Sequence, residues 1–120
     1  MSELKKKIVN RIREEIKKTG KKGIILGLSG GIDSAVTAVL AKQAVGGNLI
    51  NLILPCGSSK EDLEDARLIA KSFKLKTKTI DLSGFYEGLV KILPKGNKLS
   101  RSNLKPRLRM LIFYYFANKL

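Results

Sequence analysis

The residues with the clearest chemical potential lie between positions 29 and 34, where two glycines, two serines and one aspartate occur together. Gly30 and Gly31 tolerate positive φ and let a phosphate approach the backbone amides, while Ser29 and Ser34 add hydroxyl donors. A carboxylate beside a phosphate is repulsive unless a cation lies between them, so Asp33 predicts bound Mg²⁺. We therefore predict a phosphate-binding site that includes a magnesium ion.

The flanking segments place this loop between a strand and a helix. Residues 23–28 form a short apolar run with β-branched side chains, which is typical of a buried parallel strand. Residues 35–45 contain no Gly or Pro and are rich in Ala, which predicts a helix. The unpaired N–H groups and the dipole at the start of such a helix favour an anion. The alternative is a Gly-rich connection in which Ser34 only caps the helix.

Hydrophobic periodicity and turn residues divide the rest of the chain into alternating helices and strands. Helices are predicted at 2–19, 60–73, 83–93 and from 103 onward, strands at 48–54 and 76–82, and a mobile basic loop at 94–101. We expect the first helix to cover the sheet, and Asn103 to cap the last helix.

This alternation predicts one α/β domain over residues 1–120. Its three-layer parallel sheet would have the strand order 3-2-1 and right-handed crossovers. Because ligands of such sheets bind beyond the carboxyl ends of the strands, we expect three segments to meet there. The first segment is the loop of residues 29–34, the second is the loop of residues 55–59, and the third is the turn after Asp81.

Composition limits the classes of partner. The chain has 24 Lys and Arg residues against 10 Asp and Glu, a net charge of +14, which often accompanies nucleic-acid or membrane binding. The cations are spread along the chain, however, and aromatic residues make up only 6%, which disfavours a base-stacking platform. No apolar run approaches membrane-spanning length. We expect polyanionic small ligands, and neither nucleic acid nor a membrane.

The numbers of cysteine and histidine residues exclude several kinds of structural and catalytic site. Cys56 is the single cysteine and there is no histidine, so an internal disulfide, a cysteine metal cluster and His-based catalysis are excluded. No apolar segment follows the basic residues near the amino terminus, so we predict no signal peptide and a cytoplasmic protein.

A second motif spans residues 103–110, with the sequence N-L-K-P-R-L-R-M. Arg107 and Arg109 are permanent cations whose forked donors suit phosphate or carboxylate groups. Because they stand two residues apart near a helix start, they point in different directions. The alternative is that both are solvated arginines on a basic helix.

Together these motifs resemble those of the ammonia-dependent NAD synthetases, which belong to the N-type ATP pyrophosphatase superfamily. Residues 29–34 match the Ser-Gly-Gly-x-Asp-Ser loop with which that superfamily holds the β- and γ-phosphates of ATP. Residues 103–110 resemble the family's Asn-x-x-Ala-Arg-x-Arg-Met signature, with Pro106 where Ala is usual. Further similarity lies at Leu54-Pro55, Ser58, Ser59, Asp65-Ala66 and the aromatic segment 113–118.

The resemblance implies an adenine nucleotide alpha-hydrolase-like fold and ATP-dependent amidation of deamido-NAD. In that reaction an acyl adenylate forms and ammonia attacks it, so that AMP and pyrophosphate are released. ATP and Mg²⁺ would be the cofactors, with Asp33 on the metal and Arg107 or Arg109 on deamido-NAD. No residue is assigned to a covalent step. By position, the nucleotide would contact Gly27, Leu28, Ser29, Gly30, Gly31, Ile32, Asp33, Ser34, Leu54 and Ser59.

The resemblance also implies an assembly and a missing part. It covers nearly the whole chain but only the N-terminal half of the family fold, so the strand that pairs with residues 23–28 is absent and leaves them as an open edge. The last helix, residues 103–120, is apolar on several faces and must be buried. In the family this region forms the homodimer interface, so we predict a homodimer.

Two alternatives to the synthetase reaction stay open. One is a truncated, catalytically incompetent nucleotide-binding remnant that acts as an interaction module. The other is a related ATP pyrophosphatase, such as a tRNA thiolase or a GMP synthase. The positive charge fits tRNA, but the paired cysteines that sulfur-transfer members often use are absent.

Overall fold

The structure, a computed structural model, describes residues 2–57 and 60–119, and it contains a parallel three-stranded sheet. Both pairs of neighbouring strands run parallel, in the order β1-β2-β3, so the predicted α/β architecture and strand order are confirmed. The strands are β1 (Ile24–Gly27), β2 (Leu49–Ile53) and β3 (Thr77–Thr79).

Helices fill the connections and cover both faces of the sheet. Helices α2 and α3 pack on one face, and α4 and α6 pack on the other. A short 3-10 turn, Gly46–Asn48, leads into β2. The helices are α1 (Ser2–Thr19), α2 (Ile32–Val45), α3 (Lys60–Ser72), α4 (Ser83–Ile92), α5 (Lys98–Ser102) and α6 (Leu104–Lys119).

The two faces of the sheet are packed differently. On the α2–α3 face, buried alanines such as Ala38 and Ala66 let the helix backbones approach the strands closely. On the other face the larger Leu52, Leu108 and Phe116 fill the space. Strand β2 is therefore buried on both sides, which accounts for its nearly continuous apolar sequence.

One polar side chain lies inside this packing. Asn51 in β2 is fully buried, and its amide nitrogen donates to the Lys76 carbonyl at 3.3 Å. Its side-chain oxygen has no hydrogen-bond partner among the described residues. A buried oxygen without a partner lowers the stability of the fold.

Helix α1 packs chiefly on α2, so the prediction that it covers the sheet is wrong. The guanidinium of Arg13 donates to the carbonyls of Gln43 at 2.8 Å and Ala44 at 3.2 Å. These carbonyls lie in the last turn of α2, where a cation is favourable. Leu4 and Ile8, two apolar residues of this helix, remain 61% and 38% exposed.

Several local boundaries also differ from the prediction, and β3 spans only Thr77–Thr79 instead of 76–82. Helix α2 begins at Ile32 instead of 35 because Gly31 is its N-cap residue. Part of the predicted loop at 94–101 forms α5, which Asn97 caps by accepting from the Ser100 N–H at 2.7 Å. Asn103 ends α5, and the last helix begins at Leu104.

Strand β1 pairs with β2 along one edge only, in the part of the chain that the structure describes. Its other edge carries no strand, as predicted, and its first three residues are half-buried. Across residues 2–57 and 60–119, no helix is long and apolar enough to traverse a bilayer.

Candidate functional site

The turn from β1 into α2, residues 27–34, is called the Gly-rich loop below. Gly30 has φ +87°, in the left-handed region that favours glycine. A Cβ atom at this position would lie 2.8 Å from the Asp62 carbonyl oxygen and 3.2 Å from the Asp65 Cβ. The loop is therefore pressed against the first turns of α3, and only a residue without a side chain fits.

The start of α2 is open to an anion. Gly31 is the N-cap residue in an extended conformation, and no side chain among the described residues caps the helix. Ser34 lies inside the first turn, where its hydroxyl donates to the Gly31 carbonyl at 3.0 Å and accepts from the Ser29 N–H at 3.3 Å. The alternative in which Ser34 is the cap is therefore wrong, and the first N–H groups of α2 lack a side-chain acceptor.

The Gly-rich loop is accessible to a ligand. Ser29, Gly31 and Asp33 are exposed, and Gly30 is half-buried. The two serine hydroxyl oxygens lie 3.2 Å apart on the same side of the turn. Side chains therefore do not block the space in front of the amides.

Asp33 is the loop's one carboxylate, and it stands in the first turn of α2. Within residues 2–57 and 60–119 no group of three or more His, Cys, Asp and Glu side chains could hold a metal ion. Magnesium prefers six oxygen ligands, and near a nucleotide several of them are phosphate oxygens and water. Asp33 therefore fits a metal that arrives with a polyphosphate, but not a metal cage made by this chain alone.

Beside the loop is a cavity of about 320 Å³ at the carboxyl ends of β1 and β2. It gathers segments from both faces of the sheet, since α3 and α6 both contribute to its lining. Ser29 and Arg109 supply its hydroxyl and cation. The lining residues are Gly27, Leu28, Ser29, Leu52, Ile53, Leu54, Pro55, Asp62, Leu63, Ala66, Arg109 and Phe113.

Several of the predicted nucleotide contacts thus come together. Gly27, Leu28, Ser29 and Leu54 line the cavity, whereas Gly30 lines a separate groove between α1, α2 and α3, and Gly31, Asp33 and Ser34 line neither. Ile32 points elsewhere, because it is 79% exposed and lines an apolar groove between α1, α2 and α3. Ser59 lies outside the described residues.

The structure separates the two candidate arginines. Arg109 lines the cavity, and its Nε–H donates to the Leu54 carbonyl at 3.0 Å. Its other N–H donors have no partner among the described residues, although a guanidinium offers five. Arg107 is exposed, lies outside the cavity, and donates to the Asn103 carbonyl of its own helix at 2.9 Å.

Phe113 and Asp62 are among the cavity residues that were not predicted as site residues. A Cβ atom at Gly27 would lie 2.8 Å from the Phe113 ring, so α6 packs directly on the end of β1. The sequence marks 113–118 as aromatic but does not show which ring faces inward. Asp62, in the first turn of α3, also lines the cavity.

Hydrogen bonds join the carboxyl ends of the three strands. The N–H of Leu28 donates to the Leu52 carbonyl at 2.9 Å, and the N–H of Leu82 donates to the Pro55 carbonyl at 2.7 Å. The Gly57 N–H donates to the Ser83 hydroxyl at 2.9 Å. The predicted meeting of the three loop segments is therefore confirmed for their described residues.

Two titratable groups near this junction have shifted pKa values. The Ser83 N–H donates to the Asp81 carboxylate at 2.9 Å, which lowers the pKa of that carboxyl. Burial raises the pKa of the Cys56 thiol, and the opposing effect of the Arg109 and Lys105 charges is smaller. This direction disfavours the thiolate form of Cys56.

The Gly30→Ala variant tests the packing of the loop on α3. Gly20→Ala is a matched control because Gly20 also has positive φ, at +71°, but no atom lies within 4 Å of a Cβ there. We expect Gly20→Ala to lower the free energy of unfolding by about 1 kcal/mol, the conformational cost alone. Gly30→Ala should lower it by about 3 kcal/mol because overpacking adds to that cost. Equal losses in urea unfolding would show that the loop is not held against α3.

Comparisons with known proteins identify a family for this chain. The sequence profile of the family described as NAD synthase matches residues 4–120. The NH(3)-dependent NAD(+) synthetase of Finegoldia magna is 46% identical over 107 residues, covering 88% of this chain and 44% of that protein. The corresponding protein of Carboxydothermus hydrogenoformans is 43% identical over 119 residues, covering 95% of this chain and 49% of that protein.

Solved structures show the same relation. The NH3-dependent NAD synthetase from Campylobacter jejuni superposes with a TM-score of 0.89 at 32% identity, covering 98% of this chain and 52% of that one. An NMN synthetase from Francisella tularensis gives the same TM-score and identity, covering 98% of this chain and 50% of that one. The chain thus spans about half the length of the relatives it matches. The family match over residues 4–120, together with the sheet order and the Gly-rich loop, shows that this chain belongs to the NAD synthase family.

Proposed function

We propose that this chain binds ATP with Mg²⁺ at the Gly-rich loop, as part of NAD biosynthesis by a ligase that amidates deamido-NAD. The observation that carries the proposal is the uncapped start of α2 behind Gly30 and Gly31. The Gly-rich loop is exposed at Ser29, Gly31 and Asp33, and the lining of the adjoining cavity includes a cation, Arg109, whose Nε–H donates to the Leu54 carbonyl. We propose residues 1–120 as one nucleotide-binding unit of a cytoplasmic protein.

In this proposal the loop neutralises the β- and γ-phosphates. The backbone amides of Gly30 and Gly31, together with the hydroxyls of Ser29 and Ser34, donate to phosphate oxygens. Asp33 would supply one carboxylate oxygen to the magnesium ion. The bound ion would offset the negative charge of the phosphates. Fixed donors of this kind stabilise developing charge without reorganising during the reaction. Leu54 and the segment that follows it, including Ser59, lie against the adenosine.

The reaction proposed for the complete enzyme has two steps. A carboxylate oxygen of deamido-NAD attacks the α-phosphorus of ATP, and the bond to pyrophosphate breaks. Ammonia then attacks the acyl carbon, and AMP leaves with the bonding electron pair while the nitrogen loses a proton. The residues of this chain hold and orient the triphosphate, so their contribution is positioning.

The outward face of α6 supports a homodimer. Leu108 and Phe116 face the core, but Met110, Leu111, Tyr114 and Tyr115 are 48–63% exposed. An apolar face of this kind is typical of a protein–protein contact. We propose that α6 packs on its counterpart in a second copy. Arg107, which is exposed and lies outside the cavity, would then contact deamido-NAD near that interface.

A pair of arginine variants tests the nucleotide site. We expect Arg109→Gln to weaken the binding of ATP with Mg²⁺ at least tenfold, because a charge-assisted hydrogen bond to phosphate is lost. Arg107→Gln makes the same chemical change outside the cavity and should leave the ATP dissociation constant unchanged. Titration calorimetry measures both. Equal weakening by the two variants would show that Arg109 does not contact the bound nucleotide.

Product analysis distinguishes the synthetase reaction from the alternative of a nucleotide-binding module without turnover. The chain is incubated with ATP, Mg²⁺, deamido-NAD and ammonia, and AMP is measured. AMP formation that requires both deamido-NAD and ammonia supports the synthetase reaction. ATP binding without AMP formation supports a nucleotide-binding module, whereas AMP formation that requires neither substrate contradicts the proposed reaction.

Sedimentation velocity at micromolar concentration tests the dimer. We expect the parent chain to sediment as a dimer and Leu111→Lys to sediment as a monomer, because a charge on an apolar contact is costly to desolvate. Leu68→Lys is the matched control, since Leu68 on α3 is 63% exposed and Leu111 is 62% exposed. A monomeric parent chain, or dissociation caused by both variants, would contradict the α6 interface.

A further inference from the structure

A second cavity lies away from the Gly-rich loop, between the end of α4, α5 and the start of α6. Its volume is about 440 Å³, within the range of small-molecule sites, and it shares no lining residue with the cavity beside the loop. The lining residues are Val90, Lys91, Leu93, Pro94, Lys95, Gly96, Ser100, Arg101 and Leu104.

The lining of this cavity combines two chemistries. Four of its residues are apolar, namely Val90, Leu93, Pro94 and Leu104. Three others are cations, namely Lys91, Lys95 and Arg101. A bound molecule that matched both would carry an apolar body and a negative charge.

No carboxylate forms an ion pair with the three cations of this cavity among the described residues. The sequence contains no Asp or Glu after Glu87. Among the described residues, ion pairs involve only Arg11, Lys18 and Glu15, all on α1. Like charges gathered at one cavity repel one another, and a bound anion relieves that repulsion.

The cavity walls are held in place without a ligand. The Tyr86 hydroxyl of α4 donates to the Arg101 carbonyl of α5 at 3.2 Å. The Arg101 N–H donates to the Asn97 carbonyl at 3.2 Å, and the Lys105 ammonium lies 5.2 Å from the centre of the Tyr86 ring. Binding to a preformed site is more favourable because fewer side chains and loops lose conformational entropy when the ligand binds.

Exposed aliphatic side chains lie close in sequence to the residues that line this cavity. Ile92 is 79% exposed, Leu99 is 69% exposed and Leu93 is 43% exposed. A chain-like apolar group longer than the cavity would cover them. None of the described lining residues is aromatic, which disfavours a nucleic acid bound through base stacking.

We propose that this cavity binds an anionic amphiphile, an aliphatic chain that ends in a phosphate group. The phosphate pairs with Lys91, Lys95 and Arg101, and the chain packs on Leu93 and Leu104. Inorganic phosphate would leave the apolar lining unused, and an uncharged alcohol would leave the cations unpaired. The proposal is independent of nucleotide binding at the Gly-rich loop.

Titration with octyl phosphate below its micelle concentration tests the site by amide NMR on the full chain. We expect saturable shifts confined to residues 90–104, with a dissociation constant at least tenfold lower than those of inorganic phosphate and octanol. Excess ATP with Mg²⁺ should not displace the probe. Shifts centred on residues 27–34, or affinity equal to that of inorganic phosphate, would overturn the proposal.

A double variant, Lys95→Gln with Arg101→Gln, should weaken octyl phosphate binding about tenfold. Lys21→Gln with Lys22→Gln removes the same charge from the exposed connection between α1 and β1, and should have no effect. Leu93→Asn should weaken octyl phosphate but not inorganic phosphate. Equal weakening by the two double variants would show that net charge, and not this cavity, binds the probe.

Vesicles of phosphatidylglycerol distinguish the two sources of such a ligand. Co-sedimentation that is lost in the Lys95→Gln, Arg101→Gln variant assigns a lipid headgroup. Octyl phosphate binding without co-sedimentation assigns a free phosphorylated amphiphile. Failure of ATP binding in the Arg109 experiment would leave all these outcomes unchanged, so the two proposals fail separately.

Discussion

Two backbone positions without a side chain, Gly27 and Gly30, determine how closely the helices approach the end of β1. At Gly27 the Phe113 ring of α6 occupies the place of a Cβ, and at Gly30 the backbone of α3 does so. In each case the nearest atom would lie 2.8 Å from that Cβ. Because α3 and α6 cover opposite faces of the sheet, the loop is fixed between two layers of the fold.

This constraint explains why the site is open and positive at the same time. Glycines leave the backbone amides uncovered, and Gly31 starts α2 without a capping side chain. The approach of α6 brings Arg109 to the end of β2, where the Leu54 carbonyl orients its guanidinium. Arg109 lines the cavity beside the Gly-rich loop, so the packing at Gly27 and Gly30 holds the arginine and the start of α2 in one region of the fold.

Much of this arrangement could be predicted from the sequence. The apolar run of residues 49–53 predicts a strand that is buried on both faces, and β2 is such a strand. The alternation of helices and strands predicts parallel strands in the observed order. The Gly-rich loop could be located because its glycines, serines and aspartate are adjacent in the sequence, so no tertiary contact is needed to recognise them. The open edge of β1 followed from the extent of the family resemblance, not from any property of the strand itself.

The remaining features depend on tertiary contacts that leave little trace in one sequence. The amphipathic pattern of α1 shows that a face is buried, but not that its partner is α2. Helix α5 has only five residues in a polar segment, so its Asn97 cap was the one available signal. The spacing of Arg107 and Arg109 shows that they diverge, but only the packing of α6 decides which one enters the cavity.

The central claim is that the uncapped start of α2 receives the triphosphate of ATP, and amide chemical shifts measure this most directly. Titration of the labelled chain with ATP and Mg²⁺ should move the Gly30, Gly31 and Ile32 amides most, with the same saturation for all three. Adenosine, which lacks phosphate, should leave these amides unmoved. Saturating ATP that leaves the loop unchanged, or adenosine that shifts it equally, would contradict the account.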